Sequence, residues 1–326
     1  MPLPPAALPS PLTQVTDERL ADAGVELWLK RDDLVHPTVP GNKWRKLAPN
    51  LAAAHQAGHS RVLSFGGAYS HHIRALATAA AGSGLASVGV IRGHELADAP
   101  RNWSLAGAEA AGMRLAFVTR ADYRRLRATL DEPATRRELA DRFGPCLVLP
   151  EGGSNGLAAR GSAAISTELA AQLPGFGETA RDVVCCAVGT GGTLAGVAAG
   201  APPGVRVVGV AALAGGEGYL EREIEALHAA GWGRAFPNWR LDHTHHAGGY
   251  GRVPVPLAAF ADDFARLHGL AVERRYVAKA LRWVYATAGT EPLAPGTRVT
   301  LVVTGPPDPE PDQGLDPEPA PGSGAD

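Results

Sequence analysis

The chain has 326 residues, 45% of them hydrophobic, with 31 Lys and Arg against 33 Asp and Glu for a formal charge of -2. That is enough material for two modest domains or one large one around a buried core. The charges lie along the chain without a basic block, which leaves no electrostatic footprint for nucleic acid or an anionic membrane and favours a small, roughly neutral ligand.

The opening MPLPPAALPSPL has no positive segment and is broken by prolines, so no signal peptide is expected. Short β-branched or apolar runs then alternate with alanine-rich segments of helical length. In order, VELWL from Val25 predicts a strand, Lys46 to Ala57 a helix, RVLSF from Arg61 a strand and Ile73 to Ala81 a helix. SVGVI from Ser87 is the next strand, Asn102 to Ala111 a helix, RLAFV from Arg114 and CLVLP from Cys146 strands, and Leu157 to Leu173 a helix. DVVCCAV from Asp182, a helix over Thr193 to Ala199 and VRVVGV from Val205 follow. Helices over Pro256 to His268 and Ala278 to Ala288 and a last strand RVTLVV from Arg298 complete the series. Such alternation implies one or two parallel α/β sheets.

The uncharged run Val183 to Val205 is long enough to span a membrane, but it holds six glycines and two prolines and splits into strand, loop and helix. It reads as soluble core. Cys185 and Cys186 are neighbours on a predicted strand and would point to opposite faces, which with Cys146 alone does not suit a disulfide framework. A reducing cytoplasm is the expected setting. The final segment PPDPEPDQGLDPEPAPGSGAD, 306 to 326, predicts a disordered acidic, Pro-rich tail.

Three glycine turns follow predicted strands. DVVCCAVGTGGTLAGV runs through Gly189, Thr190, Gly191, Gly192 and Thr193 into a helix, a pattern in which consecutive backbone N–H groups can cradle a phosphate. It lacks the third glycine and the acidic partner of a dinucleotide fingerprint, and the lysine of a Walker A loop. SFGGAYSHHIRAL places Ser70, His71 and His72 at a helix start, and LPEGGSNGLAARG supplies Gly152, Gly153, Ser154 and Asn155. Three such turns on parallel strands would meet at the carboxyl edge of the sheet, where α/β ligands bind. The cation-rich GNKWRKL, Gly41 to Leu47, stands apart from these and by itself reads as a solvated helix start, a phosphate or nucleic-acid contact, or a site where one lysine is chemically special.

Taken together, KRDDL, GNKWRKL, SFGGAYSHHIRA, PEGGSNGLAARG and VGTGGTLAG resemble, in this order, the pyridoxal-phosphate (PLP) enzymes of fold type II. The likeness is to the branch of 1-aminocyclopropane-1-carboxylate (ACC) deaminase and D-cysteine desulfhydrase, and runs from about Leu29 to Gly305. It implies an α/β fold of two domains with mainly parallel twisted sheets flanked by helices, akin to the tryptophan synthase β subunit. The large PLP-binding domain would take 1–48 and 156–305 and the small one 49–155. It also implies a cytoplasmic homodimer acting on a small amino acid.

The resemblance makes Lys43 the Schiff-base lysine, with Asn42 beside it and Gly189 to Thr193 on the PLP phosphate. An amine that is desolvated or flanked by cations becomes nucleophilic, which agrees with the neighbours Arg45 and Lys46. Lys46 either orders the phosphate or substrate carboxylate or is a solvated helix residue. Ser70 maps to the substrate carboxylate and His71, standing where the family has asparagine, to the cofactor's phenolic oxygen; His72 matches the family histidine. His71 is bulkier than asparagine and an ordinary histidine titrates near neutrality. Tyr69 replaces a family glutamine. AGGYGRVP puts Tyr250 near the site as acid, base or ring contact, and ERRYVAKAL matches Tyr276 to a family tyrosine. Thr304 is placed at the ring nitrogen and Val277 along the pocket, where ACC deaminases carry leucine and glutamate.

These residues point to β-elimination, with D-cysteine yielding sulfide, pyruvate and ammonia. ACC ring opening and PLP binding without turnover stay open as alternatives. HTHH, His243 to His246, fits no standard zinc spacing, and Ser70 with the two histidines lacks a nucleophile elbow, so neither a metal site nor a serine hydrolase is expected.

Overall fold

The structure, a computed structural model, describes residues 5–307. The expected tail 306–326 lies, except for its first two residues, outside the described residues. In chain order the elements are β1 (Leu12–Val15), α1 (Glu18–Asp22), β2 (Glu26–Lys30), α2 (Lys43–Gln56), β3 (Arg61–Gly66), α3 (His71–Gly82) and β4 (Ala86–Arg92). Then come α4 (Trp103–Ala110), β5 (Arg114–Val118), α5 (Arg120–Ala128), α6 (Pro133–Phe143), β6 (Leu147–Val148) and α7 (Gly156–Gln172). The rest are β7 (Asp182–Val188), α8 (Gly192–Gly200), β8 (Arg206–Ala211), α9 (Tyr219–Trp232), β9 (Trp239–Asp242), α10 (Val255–His268), α11 (Val277–Thr287) and β10 (Arg298–Val302).

Two sheets result. The larger has the order β1-β2-β10-β7-β8-β9 and the smaller β5-β4-β3-β6. Every pairing is parallel except β1 with β2. Strand β7 is buried along its whole length, and its alternating side chains feed two cores. Val183 and Cys185 pack with Leu257, Phe264 and Leu281 of α10 and α11, while Val184 and Cys186 pack with Ile165, Leu194 and Ile224 of α7, α8 and α9. The two cysteines therefore face opposite layers and are both free. In the smaller sheet Val62 joins the α2, α3 and α4 side, and Leu63 and Phe65 the α5 and α6 side.

The eight expected strands and seven expected helices are present with shifts of a few residues. Strands β1 and β9 and helices α1, α5, α6 and α9 were not expected. The domain boundary expected after residue 48 falls inside α2, which continues unbroken to Gln56.

Helix α2 is fixed by charge. Arg45 donates to both oxygens of Asp32, each at 2.8 Å, and to both of Glu168, at 2.8 and 2.9 Å. Lys30 on β2 closes the cluster, with its Nζ 2.7 Å from Glu168 Oε2 and donating to Ser10 O and Gln172 Oε1 at 2.8 and 2.6 Å. Two cations and two anions thus tie β2, α2 and α7 together out of water. Removing one partner of such a set strands its neighbours without compensation, so Arg45→Met is expected to destabilise the fold by about 3–5 kcal/mol. Denaturant unfolding checks this, and a loss under about 1 kcal/mol, the range of an exposed pair, would contradict it.

Candidate active site

The ends of β3, β6, β7, β8 and β10 open onto one cavity. Most residues singled out from the sequence line it: Asn42, Lys43 and Lys46; Ser70, His71 and His72; Gly189 to Thr193; Tyr250, Tyr276 and Thr304.

The turn before α2 is set first. Gly41 has φ 63°, and a Cβ there would lie 2.1 Å from the Thr304 carbonyl oxygen, so only glycine lets the chain lie this close to the end of β10. That carbonyl accepts the Asn42 N–H at 3.0 Å, and Asn42 Nδ2 donates to Thr193 Oγ1 at 2.7 Å. The turn is thereby anchored to both the β10 end and the loop after β7. Lys43 then begins α2, with Nζ 3.3 Å from Asn42 Oδ1. Burial pushes its ammonium down to about 8, against the opposing pull of the Glu273 charge.

One turn on, Lys46 is 2% exposed, which rules out the solvated reading of this residue. Its Nζ donates to Gly152 O and Ser154 Oγ, both at 2.7 Å, and burial, with the Lys43 charge adding to it, holds it well below an ordinary lysine. Ser154 Oγ in turn shares a hydrogen bond of 2.6 Å with Thr190 Oγ1. Helix α8 starts beside these groups at a left-handed Gly191 with no side-chain cap. A Cβ on Gly192 would stand 2.7 Å from Ser154 Oγ and 3.0 Å from Lys46 Nζ. Hydroxyls, a lysine and an uncapped helix start converge there, a donor set suited to a phosphate.

The opposite wall is aromatic. Ser70 caps α3, its Oγ accepting the Ile73 N–H at 3.3 Å, and His71 follows with its ring edge-on to Tyr276 at 6.3 Å and to Trp103 at 6.1 Å. His71 does not behave as an ordinary histidine. Burial outweighs the nearby Glu273 and pushes it down to about 4, so the imidazole is neutral at physiological pH. Burial holds His72 well below an ordinary histidine, and it shares a 2.8 Å hydrogen bond with Ser64 through Nε2. Tyr250 and Tyr276 pack edge to face at 6.0 Å, and burial raises the Tyr276 phenol well above its usual range.

One neighbour differs from expectation. Val277 is 1% exposed and packed in the core of the larger sheet rather than along the cavity, because it lies in the first turn of α11 on its inner face. The Arg275 guanidinium lies over the Tyr69 ring, 5.7 Å from its centroid.

The sequence reading missed Glu273, Arg92, Arg127, Glu151 and Tyr219, which also line the cavity. Glu273 is 2% exposed and accepts the backbone N–H groups of Arg275, Tyr276 and Val277 at 2.5, 2.7 and 3.1 Å. It caps the start of α11, and an acidic residue just ahead of a predicted helix is the signal that could have found it. The HTHH run forms a turn closed by Asp242, with His243 bonded to Glu221 at 2.7 Å.

Residues 4–305 match the family model described as pyridoxal-phosphate dependent enzyme. The chain belongs to that family. It is thus a PLP-dependent enzyme, and its similarities point to one branch. It is 31% identical over 277 residues to a D-cysteine desulfhydrase of Yersinia pestis (strain Pestoides F), covering 81% of each chain. It is 31% identical over 200 residues to the bifunctional D-cysteine desulfhydrase/1-aminocyclopropane-1-carboxylate deaminase, mitochondrial, of Arabidopsis thaliana, covering 60% of this chain and 49% of that one. The fold is shared with a solved ACC deaminase homologue at a TM-score of 0.78 and 23% identity, covering 93% of this chain and 91% of the other.

The donor set around Gly192 gives a direct test. Gly192→Ala should place a methyl against Ser154 and Lys46 and lower PLP retention by about tenfold or more, the loss of one charge-assisted contact. Equilibrium dialysis of the holoenzyme measures it, and unchanged retention would remove the phosphate from this loop.

Proposed function

We propose that this enzyme eliminates a β-substituent from a small amino acid, in the manner of D-cysteine desulfhydrase, releasing a 2-oxo acid and ammonia, with sulfide when the substrate is D-cysteine. The observation that carries this reading is a buried Lys43 amine, pushed down to about 8, facing a cavity that is donor-rich on one side and aromatic on the other. When bound, PLP supplies an electron sink for the α-carbon.

The chain's own residues take the following roles. Lys43 anchors the cofactor and, once freed, accepts the α-proton at Nζ, a role helped by an amine near neutral at working pH. Gly189 to Thr193, with Lys46, Ser154 and Thr190, hold the phosphate, and Asn42 keeps Thr193 in register. Ser70 and the neutral His71 donate hydrogen bonds toward the substrate carboxylate and the cofactor's phenolic oxygen, and His72 braces the base of that loop through Ser64. Tyr250 donates a proton to the departing group, with Tyr276 packed against it. Thr304 faces the ring nitrogen with a hydroxyl, which enforces no charge there. The hydroxyl favours elimination over ring opening, the stronger argument now that Val277 lies in the core.

The domain division of 1–48 with 156–305 against 49–155 is supported by strand membership, since the larger sheet draws only on the first set and the smaller only on the second. Helix α2, crossing residue 48, then belongs to both. Free cysteines agree with a cytoplasmic setting, and no helix among the described residues is long and apolar enough to cross a membrane. A homodimer rests on the family likeness alone.

Purified wild type and Lys43→Ala, assayed with D-cysteine, β-chloro-D-alanine, ACC and the L-isomers, test the reading. Pyruvate and ammonia from D-cysteine with wild type only are expected. Turnover of ACC in preference would move the assignment to ring opening. A PLP adduct on Lys43 trapped by borohydride, with no product from any substrate, would leave a binding protein.

A further inference from the structure

The first turn of α11 carries a cation to which the proposed chemistry gives no role. Lys279 is fully buried, and its Nζ donates to two backbone carbonyls, Gly249 O at 2.7 Å and Ala212 O at 3.2 Å. Ala212 directly follows β8, and Gly249 directly precedes Tyr250. The residues next in chain after the two carbonyls, Leu213 and Tyr250, both line the cavity. A charged side chain taken out of water is costly unless it is hydrogen-bonded, and here its bonds go to the backbone of the cavity wall.

The backbone of the loop that carries Tyr250 is permissive. Ala247, Gly248 and Gly249 have φ of 52°, 89° and 108°, and Ala247 is the one non-glycine residue with positive φ among the described residues. Glycines of this kind adopt several backbone conformations at similar energy. The Gly249 carbonyl also accepts the Arg252 N–H at 3.3 Å. This closes a β-turn with Tyr250 in second place and Gly251, φ 71°, in third, where a type II turn takes glycine. Lys279 therefore bonds the same carbonyl on which the turn closes. Tyr276, one helical turn before Lys279, packs its ring edge to face with Tyr250 at 6.0 Å. The start of α11 thus grips the turn by its backbone and the Tyr250 phenol by its ring.

We propose that Lys279 is a positioning residue for Tyr250, pinning the turn so that the phenol meets the departing group. This rests on the elimination reading, in which Tyr250 supplies the proton. With D-cysteine, sulfur leaves with the electron pair of the broken Cβ–S bond and takes the hydrogen of Tyr250 Oη, which solvent then replaces. A general acid must stand within hydrogen-bond reach of its acceptor, so a turn that drifts slows this step. Chloride, the anion of a strong acid, leaves β-chloro-D-alanine without a proton, and its departure does not depend on where Tyr250 stands.

Lys279→Met keeps the shape of the side chain and removes its donors. Hydrogen exchange of the full-length holoenzyme, followed by mass spectrometry, should show residues 243–254 exchanging about tenfold faster in the variant, with β7 and α7 as in wild type. The ratio of D-cysteine to β-chloro-D-alanine turnover should fall about tenfold, and adding Lys279→Met to Tyr250→Phe should lower it no further. Unchanged exchange in 243–254, equal losses on the two substrates, or additive effects in the double variant would each overturn the proposal. If the methionine variant does not fold, Lys279→Gln, which keeps a shorter donor, is held to the same outcomes. Wild type that releases no pyruvate from either substrate would sink the elimination reading, and the exchange data would still decide whether Lys279 holds the turn.

Discussion

The four-charge cluster of Arg45, Asp32, Glu168 and Lys30 decides which way helix α2 faces. Successive helical residues are turned by about 100°, so the three cations of Lys43-Trp44-Arg45-Lys46 cannot all share a face. Arg45 takes the inner, paired direction. Lys43 and Lys46, three apart and therefore neighbours on one face, are left pointing into the cavity without a carboxylate bound to either nitrogen. Buried ion clusters are weak as sources of stability yet strong as constraints on geometry. Here the constraint sets the position of the one amine on which the chemistry rests.

From that placement the electrostatics of the cavity follow. Two lysines share a desolvated space, and the first effect on both is burial, which disfavours their charged forms. The Glu273 carboxylate pulls in the other direction on Lys43 and on His71 but loses to burial in both cases. It is already engaged by the backbone N–H groups of Arg275, Tyr276 and Val277, which spreads its charge into the start of α11. A dianionic phosphate beside Lys46 would restore the charge that burial withholds. The cavity is thus short of negative charge in the region where the family's cofactor carries it.

Much of this was legible in the sequence because the motifs are local. The strand-glycine-helix turns at Gly189 and Ser70, the glycine turn from Gly152 to Asn155, and the GNK turn each occupy a few consecutive residues, and their order along the chain identified the family. Strands β1 and β9 were not, since both are edge strands of only four residues, too short to stand out from their flanks. Helices α5 and α6 bury narrow stripes, Tyr123 and Leu126 in one and Leu139 and Phe143 in the other, within otherwise charged segments. Helix α9 has a plain stripe, Leu220, Ile224 and Leu227, that periodicity could have found. The state of His71 and the inward turn of Val277 depend on what packs around them, and the cluster of Arg92, Arg127, Glu151 and Tyr219 joins four distant segments, so neither is written in any one stretch of sequence.

The central claim is that burial makes Lys43 a nucleophile near neutral pH. At pH 7 an amine at about 8 is roughly one-tenth neutral, against well under one-hundredth for an ordinary lysine. The rate at which cofactor-free protein takes up PLP into a borohydride-stable linkage at Lys43, measured from pH 6 to 10, reads this directly. The rate should climb about tenfold per pH unit below 8 and level off above it. A rate that keeps climbing through pH 10, as an unburied lysine would give, contradicts the account.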